Sequence, residues 1–139
     1  MVEDENMTEP ICHTYANGDK YWYLHGKLHR TDGPAVEYAN GDKYWLFNGE
    51  SHREDGPAIE ESNGSKWWFK NGEVHRDDGP AIEYTNGTKE WYLNDKLHRT
   101  DGPAVVRAND TEWRLNGERV TMEDVITDPK ELFWWKMKT

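Results

Sequence analysis

The sequence predicts an all-β protein: an elongated, twisted antiparallel sheet of stacked β-hairpin repeats with a short helical C-terminal cap. Three observations predict this fold. Asn-Gly pairs begin at residues 17, 40, 63 and 86, a constant step of 23, and the residues between them repeat in register. Asn-Gly is the strongest two-residue signal for a tight hairpin turn. Aromatic residues make up 13 % of the chain, with eight Trp, although the mean hydropathy is -1.11. Because each aromatic side chain buries roughly 150–250 Å², a thin core is enough to fold the chain.

The repeat units cover residues 17–39, 40–62, 63–85 and 86–108. Residues 11–16 supply half a unit before them. A damaged copy after them keeps Glu112 to Gly117 but lacks the His-Arg and Asp-Gly-Pro-Ala blocks. Repeat arrays need atypical end units. We therefore predict a flexible acidic N-terminus over 1–10, a hairpin array over 11–120 and a helical cap over 121–139.

Each unit is predicted to contain two strands and two turns. In the third unit, residues 65–70 are rich in β-formers and too short for a helix. Asn71-Gly72 then predicts a type I′ turn, in which both central residues have positive φ. The Asp-Gly-Pro run at 78–80 predicts the second turn, and residues 81–84 the second strand. Neighbouring strands lie about 4.8 Å apart, so about ten of them form a continuous twisted ribbon.

Strand alternation places the large side chains in rows. The row of Trp residues is expected to provide core and cross-strand packing, with an exposed contact surface as the alternative. A second aromatic row lies on the opposite face, and the second strands carry an apolar row and a Glu row. The Trp row is Trp22, Trp45, Trp68 and Trp91, and the second aromatic row is Tyr21, Tyr44 and Trp67. The apolar row is Val36, Ile59, Ile82 and Val105, and the Glu row is Glu37, Glu60 and Glu83.

A His-Arg-x-Asp block also recurs in every full unit. We assign its His and Asp residues structural roles, and expect each Arg to pair with Asp, for instance Arg53 with Asp55 or with Asp78 of the next unit. The alternative is an exposed row that contacts a ligand, which makes the Arg residues and both aromatic rows candidate binding residues. The block comprises His29, His52, His75 and His98; Arg30, Arg53, Arg76 and Arg99; and Asp32, Asp55, Asp78 and Asp101.

The repetition argues against catalysis and metal binding. Equivalent His residues are two strands apart, roughly 9.5 Å, whereas zinc ligands lie about 2.0–2.1 Å from one ion. Catalysis needs one asymmetric constellation, whereas these residues recur in four units. We predict no enzyme activity, no catalytic residue, no metal and no cofactor.

The C-terminal segment departs from the repeat. Thr121 and Asp124 have the spacing of a capping box, and Pro129 can open a second short helix over 129–136. Residues 132–135, Leu-Phe-Trp-Trp, cannot all face water. We expect them to cap the last hairpin, with a partner-docking or dimerising patch as the alternative.

Charge and cysteine content limit the partners and the compartment. The chain has 27 Asp and Glu against 17 Lys and Arg, a net charge of -10, which disfavours long nucleic acid and anionic membranes and suits a basic partner surface. Cys12 is the only cysteine, so no intrachain disulfide can form, and the first residues lack the apolar core of a signal peptide. These features predict a cytoplasmic protein.

The run from Asn48-Gly49 through His52-Arg53 to Asn63-Gly64 resembles a MORN-type repeat, a family with a 23-residue β-hairpin unit. The resemblance covers about residues 11–117. It departs where the family has Gly after His, because Arg stands there in each full unit. The His-Arg-x-Asp-Gly-Pro-Ala variant also resembles uncharacterised repeat proteins of bacteriophages and large viruses.

The first resemblance implies a non-enzymatic scaffold that binds protein or lipid, of which we expect a protein partner. The viral one implies an inhibitor of a host defence or metabolic protein, acting in the host cytoplasm. A small nucleotide held by the Trp, Tyr and Arg rows and by Lys20, Lys43, Lys66 and Lys89 is the alternative ligand. A purely structural scaffold is a third possibility. A homodimer through an open sheet edge or the C-terminal aromatic segment is also compatible with the sequence.

Overall fold

A computed structural model describes residues 6–138, and within that range the chain forms nineteen strands and two helices. The first strands are β1 (Ile11–Thr14), β2 (Lys20–Leu24), β3 (Lys27–Leu28), β4 (Val36–Glu37), β5 (Lys43–Tyr44), β6 (Leu46–Phe47), β7 (Glu50–Ser51), β8 (Ile59–Glu60), β9 (Lys66–Trp67) and β10 (Phe69–Lys70). They are followed by β11 (Glu73–Val74), β12 (Ile82–Glu83), β13 (Lys89–Glu90), β14 (Tyr92–Leu93), β15 (Lys96–Leu97), β16 (Val105–Val106), β17 (Thr111–Glu112), β18 (Arg114–Leu115), β19 (Glu118–Arg119), α1 (Met122–Val125) and α2 (Pro129–Met137). Part of the predicted flexible segment 1–10 lies outside the described residues, and 6–10 form neither strand nor helix.

One antiparallel sheet runs the length of the array. Its strand order is β1-β2-β4-β5-β8-β9-β12-β13-β16-β17, with β3 also paired to β2. Each full unit contributes one strand before its His-Arg block and one strand after it, and the first unit adds β3. The predicted all-β fold of antiparallel hairpin repeats with a short C-terminal helix is therefore confirmed.

The prediction of two strands per unit is corrected, because in the second to fourth units the first strand is interrupted at its Trp. At Trp45 the N–H donates to the carbonyl of Ala58 in the long sheet at 2.7 Å. The Trp45 carbonyl accepts instead from the N–H of His52, at 3.1 Å. The next two residues then pair with β7 in a separate two-stranded hairpin. Backbone pairing therefore changes partner at this residue, and each of these units has four short strands.

Asn-Gly pairs form two kinds of turn. At the hairpin tips both residues have positive φ, as in Asn48 at 49° and Gly49 at 83°, which confirms the type I′ turn predicted for these pairs. Between units only the glycine has positive φ, as in Gly41 at 101°. There the Gly41 N–H donates to the Tyr38 carbonyl at 2.9 Å and the Tyr38 N–H to the Asp42 carbonyl at 2.9 Å.

Most of the buried residues of the full units belong to the second of the two strands that each unit adds to the long sheet, and to the loop before that strand. Val36, Ile82 and Val105 are at most 3 % exposed, and the Ala of each Asp-Gly-Pro-Ala block is 0 % exposed. Ala58 shows why this position is small: its carbonyl accepts from Trp45 and its N–H donates to the Trp67 carbonyl of the next unit, so backbone lies on both sides. The Trp residues of the four full units are only half-buried.

The chain ends in two short helices after the damaged fifth unit. Thr121 is the N-cap of α1, and the predicted capping box with Asp124 is confirmed. Pro129 opens α2, also as predicted. The ring of Trp135 in α2 meets the ring of Trp113 edge-on at 5.3 Å between centroids. Trp113 is 8 % exposed, whereas Phe133 remains 66 % exposed. One side of α2 therefore covers the last hairpin and another faces solvent.

Candidate functional site

An Arg guanidinium covers the Trp ring in every full unit. The Arg carbon Cζ lies 3.8–3.9 Å from the Trp ring centroid in the pairs Arg30 with Trp22, Arg53 with Trp45, Arg76 with Trp68, and Arg99 with Trp91. This distance places the cation directly over the π face. Four of the five Trp residues predicted as binding residues thus have one face occupied by an Arg of the same unit: Trp22, Trp45, Trp68 and Trp91.

The same guanidinium is hydrogen-bonded within its own unit. Arg53 Nε donates to Asp55 at 3.0 Å, and Nη1 donates to the Pro57 carbonyl at 3.1 Å and to Glu60 at 3.2 Å. Of the two partners expected for Arg53, the recorded ion pair is the one within the unit, with Asp55. The other three Arg residues repeat the bonds to Asp and to the Pro carbonyl. Their side chains are 18–23 % exposed. Each guanidinium is therefore bound within its own unit, which supports the Arg–Asp pairing expected from the sequence.

The glycine of each Asp-Gly-Pro run leaves room for this Arg. A Cβ atom on Gly56 would lie 3.0 Å from Arg53 Cζ, and one on Gly102 only 2.7 Å from Arg99 Cζ. These glycines do not have positive φ, so space rather than backbone conformation requires them. The loop and the Trp ring hold the guanidinium between them. Sequence reasoning treated this glycine only as a turn residue, although its constant offset from Arg was a signal.

The His residues connect successive units. His52 Nδ1 accepts the N–H of Asn71, at the next hairpin tip, at 2.9 Å. The same bond joins His29 to Asn48, His75 to Asn94, and His98 to Asn116, at 2.9–3.0 Å. Because Nδ1 accepts, the proton of a neutral ring is on Nε2. In two units Nε2 faces a carboxylate, Glu54 at 2.7 Å and Asp77 at 2.8 Å. These bonds support the structural role assigned to the His row.

The second aromatic row lies on the long sheet among the tyrosines of the inter-unit turns. Tyr21 and Tyr44 both contact Tyr38 edge-on, at 6.0 and 5.4 Å, and Trp67 contacts Tyr84 at 5.8 Å. Burial, first of all, raises the pKa values of Tyr21 and Tyr44. Burial and the Glu90 carboxylate raise the pKa of Tyr92 to about 12. Tyr21, Tyr44 and Tyr92, which lies in the β14–β15 hairpin, therefore stay neutral at physiological pH.

Lys and Glu alternate along the adjacent row of the long sheet. Lys20 faces Glu37, which also faces Lys43, and the alternation continues through Glu60, Lys66 and Glu83 to Lys89. Opposite charges facing each other across strands stabilise a sheet. The Lys row considered for nucleotide binding thus has carboxylates beside it on neighbouring strands.

Clefts with the same residue types separate successive units. The cleft between the first and second units has a volume of about 880 Å³, and its walls include Arg30, Asp32, Trp45, His52 and Glu54. The next two clefts, each of about 600 Å³, contain the corresponding Trp, His, Arg and Asp residues of the following units. The clefts therefore bring together the Trp, Arg, His and Asp residues singled out from the sequence.

The rim of these clefts is acidic. The Asp residues paired with Arg are 82–87 % exposed, although one oxygen of each is held by Arg Nε. Glu54 and Asp77, which pair with His, are 82 % and 78 % exposed. The compensating guanidinium groups lie deeper. An approaching molecule therefore meets carboxylates first and an aromatic floor behind them, including Phe47, which is 46 % exposed.

Comparison of the chain with models of protein families and with curated proteins finds no match. Within residues 6–138, no group of three or more His, Cys, Asp and Glu side chains is placed to hold a metal ion. Nor does that part of the chain contain a helix with the length and apolar content needed to cross a bilayer.

Proposed function

We propose that the protein is a non-enzymatic binding module that holds another protein, one with a basic surface, along its row of acidic clefts. The observation that carries this proposal is the recurrence of one cleft, with the same residue types, between three successive pairs of units. A surface that repeats every two strands, roughly 9.5 Å, suits an extended partner that makes the same contact several times.

The chemistry of the clefts favours Arg and Lys side chains on the partner. Exposed carboxylates at the rim attract the cationic head, and the aromatic floor can pack against the apolar stem. Electrostatic attraction at a rim mainly speeds association and selects among partners. An inhibitor of a host protein, which the resemblance to viral repeat proteins implies, would act by covering a basic surface of its target in the cytoplasm.

Nucleotide binding is less well supported by the geometry. Stacking of a base requires an open aromatic face, and Arg76 already lies 3.9 Å over the ring of Trp68. The carboxylates at the rim also repel phosphate. Incubation with mixed nucleotides, followed by mass spectrometry of the washed protein, tests this alternative: retention of a nucleotide would favour it over the protein partner.

The proposal is tested with a matched pair of charge variants. Glu54→Gln with Asp77→Asn removes two rim charges but keeps an acceptor for each His Nε2. Glu50→Gln with Glu73→Gln removes two charges from exposed hairpin tips outside the clefts. A fluorescent nona-arginine peptide is the first probe, followed by capture from host lysate.

The cleft variant is expected to bind the peptide more weakly than wild type by roughly three- to tenfold at low salt, while the tip variant binds as wild type does. A lysate protein retained by wild type and the tip variant but lost by the cleft variant would support the proposal. Equal weakening by both variants would mean that net charge alone attracts the peptide, and the cleft proposal would fail.

A further inference from the structure

The two strands at the ends of the long sheet correspond to two strands that pair with each other inside every full unit. In each full unit, the strand before the His-Arg block pairs with the strand after it. Lys43 thus faces Glu60, and Tyr44 faces Ile59. The two kinds of strand alternate along the entire sheet. We call them first strands and second strands.

The N-terminal end is a second strand without its first strand. β1 faces β2 as β4 faces β5, with His13 opposite Tyr21 and Thr14 opposite Lys20. The turn after β1 also repeats the inter-unit turn, since the Tyr15 N–H donates to the Asp19 carbonyl at 2.9 Å. Within residues 6–138 no strand lies on the other side of β1.

The C-terminal end is a first strand without its second strand. β17 faces β16, with Glu112 opposite Val105 and Thr111 opposite Val106. In the full units, the Trp N–H donates at 2.7–2.8 Å to the carbonyl of the Ala that immediately precedes the second strand. The Trp113 N–H has no backbone acceptor among the described residues. Within residues 6–138, the outer edge of β17 therefore lacks the strand that every earlier first strand has.

We propose that β1 of a second copy of this chain pairs with β17 and continues the sheet from one molecule to the next. The internal junction sets the register: Thr111 faces Thr14 of the second copy, and Glu112 faces its His13. The Trp113 N–H is directed to the Cys12 carbonyl, as the Trp45 N–H is to Ala58. This interface concerns the ends of the array and is independent of the clefts.

The side chains at this junction suit the register. Thr opposite Thr and an acid opposite His are both favourable cross-strand pairs. Thr14 and Thr111 are exposed, so this part of both edges is accessible. Trp135 covers the ring of Trp113 at the other end of β17. Because the two surfaces differ, the contact is head-to-tail and builds chains or rings of molecules rather than a twofold dimer.

Disulfide trapping between two single-cysteine proteins tests the register. In a Cys12→Ser background, one protein carries Thr14→Cys and the other, with a tag of different mass, carries Thr111→Cys. After mixing and mild oxidation, the 14–111 disulfide is expected in roughly tenfold excess over the 14–14 and 111–111 products, because it alone has Cβ atoms within bonding range. Thr100→Cys, exposed in the fourth unit away from both edges, replaces Thr111→Cys in the control mixture.

The same mixture is repeated with Trp135→Ala in the Thr111→Cys protein, which uncovers the Trp113 end of β17. A selective 14–111 product in either mixture supports the proposal. It is overturned if neither mixture yields that product, if 14–14 predominates, or if the Thr100→Cys control reacts equally well.

Discussion

The third unit and the damaged fifth unit each have a Trp at the equivalent position, and a different group covers its ring in each. In the third unit Trp68 is half-buried, and Arg76 lies 3.9 Å over its ring. In the fifth unit Trp113 is 8 % exposed, and the ring of Trp135 packs against it at 5.3 Å. The ring of Trp68 is covered by the guanidinium of Arg76, which hydrogen bonds to its own loop hold in place. The ring of Trp113 is covered by the aromatic ring of Trp135 from α2.

The backbone shows that the two positions are equivalent. The Trp68 carbonyl accepts from the His75 N–H at 3.1 Å, and the Trp113 carbonyl accepts from the Val120 N–H at 2.9 Å. Val120 thus stands in the place of His, and Thr121, where Arg would follow, is the N-cap of α1. A covered Trp ring is common to both units, and the residue that covers it depends on whether another unit follows.

Truncating the two Trp residues should give the largest effect and separate the two kinds of cover. Trp113→Ala is expected to lower the free energy of unfolding by about 3–5 kcal/mol, because it leaves a cavity beneath Trp135. Trp68→Ala should cost about half as much, roughly 2 kcal/mol, since half-burial means less contact is lost. Urea denaturation followed by circular dichroism measures both values. Equal costs would show that the cation and the aromatic cover bury the Trp to the same extent.

Adding a methyl group at Gly102, beside the Arg99 guanidinium that covers Trp91, should give the next largest effect on stability. A Cβ at Gly102 would lie 2.7 Å from Arg99 Cζ, so Gly102→Ala must displace the guanidinium from Trp91. Overpacking of this kind costs about 1–3 kcal/mol. In an Arg99→Ala background the same substitution should cost far less, because the displaced group is gone. Equal costs in the two backgrounds would mean that the glycine serves the loop and not the Arg.

Local signals in the sequence predicted the hairpins and the cap, because each depends on a few neighbouring residues. Asn71-Gly72 takes positive φ at both positions in a two-residue hairpin turn, and Thr121 caps α1 through contacts within one turn. The interruption at Trp45 was not predictable in this way. It arises because the Trp45 N–H donates to Ala58 whereas the Trp45 carbonyl accepts from His52, which lies in a different part of the unit.

The sequence identified which residues line the candidate site, but not the contacts that those residues make with one another. The 23-residue repeat, read with strand alternation, identified the Trp and Arg rows. It could not show that Arg53 would turn back onto Trp45, since that depends on the path of the Asp-Gly-Pro loop. It also placed the core at the Trp rows. The fully buried position is Ala58, where two neighbouring units approach through their backbones.

Removing a His side chain that hydrogen-bonds to the next unit should lower the free energy of unfolding by less. His75→Ala deletes the acceptor of the Asn94 N–H, and losing one such bond costs about 1 kcal/mol. Amide hydrogen exchange at Asn94 should accelerate, and exchange at hairpin tips farther away should change less. His25→Asn, in the exposed tip of the first unit, is the control and should leave both readouts unchanged. Unchanged protection of Asn94 in His75→Ala would contradict the connecting role of the imidazole.

The loss of stability at low pH should differ least between an internal unit, represented by Asp42, and the terminal unit, represented by Glu112. The Ser62 N–H, which donates to Asp42 at 2.6 Å, holds the pKa of Asp42 below its usual value, although partial desolvation opposes it. For Glu112, burial raises the pKa, but Arg119 and Arg107 outweigh burial and leave it lowered. In both cases the ionised form is the stabilising one. Each contribution is therefore present above the ordinary carboxyl pKa and lost as the pH falls through the lowered value.

Asp42→Asn and Glu112→Gln should therefore each flatten the acid limb of stability, measured as the urea midpoint between about pH 3 and pH 7. Salt should distinguish them. The Glu112 contribution comes from ion pairs with partly exposed Arg side chains, so added salt should weaken it. The Asp42 contribution comes from a backbone hydrogen bond and should persist. If salt reduced both contributions equally, long-range charge rather than these local contacts would control the response to acid in both parts of the molecule.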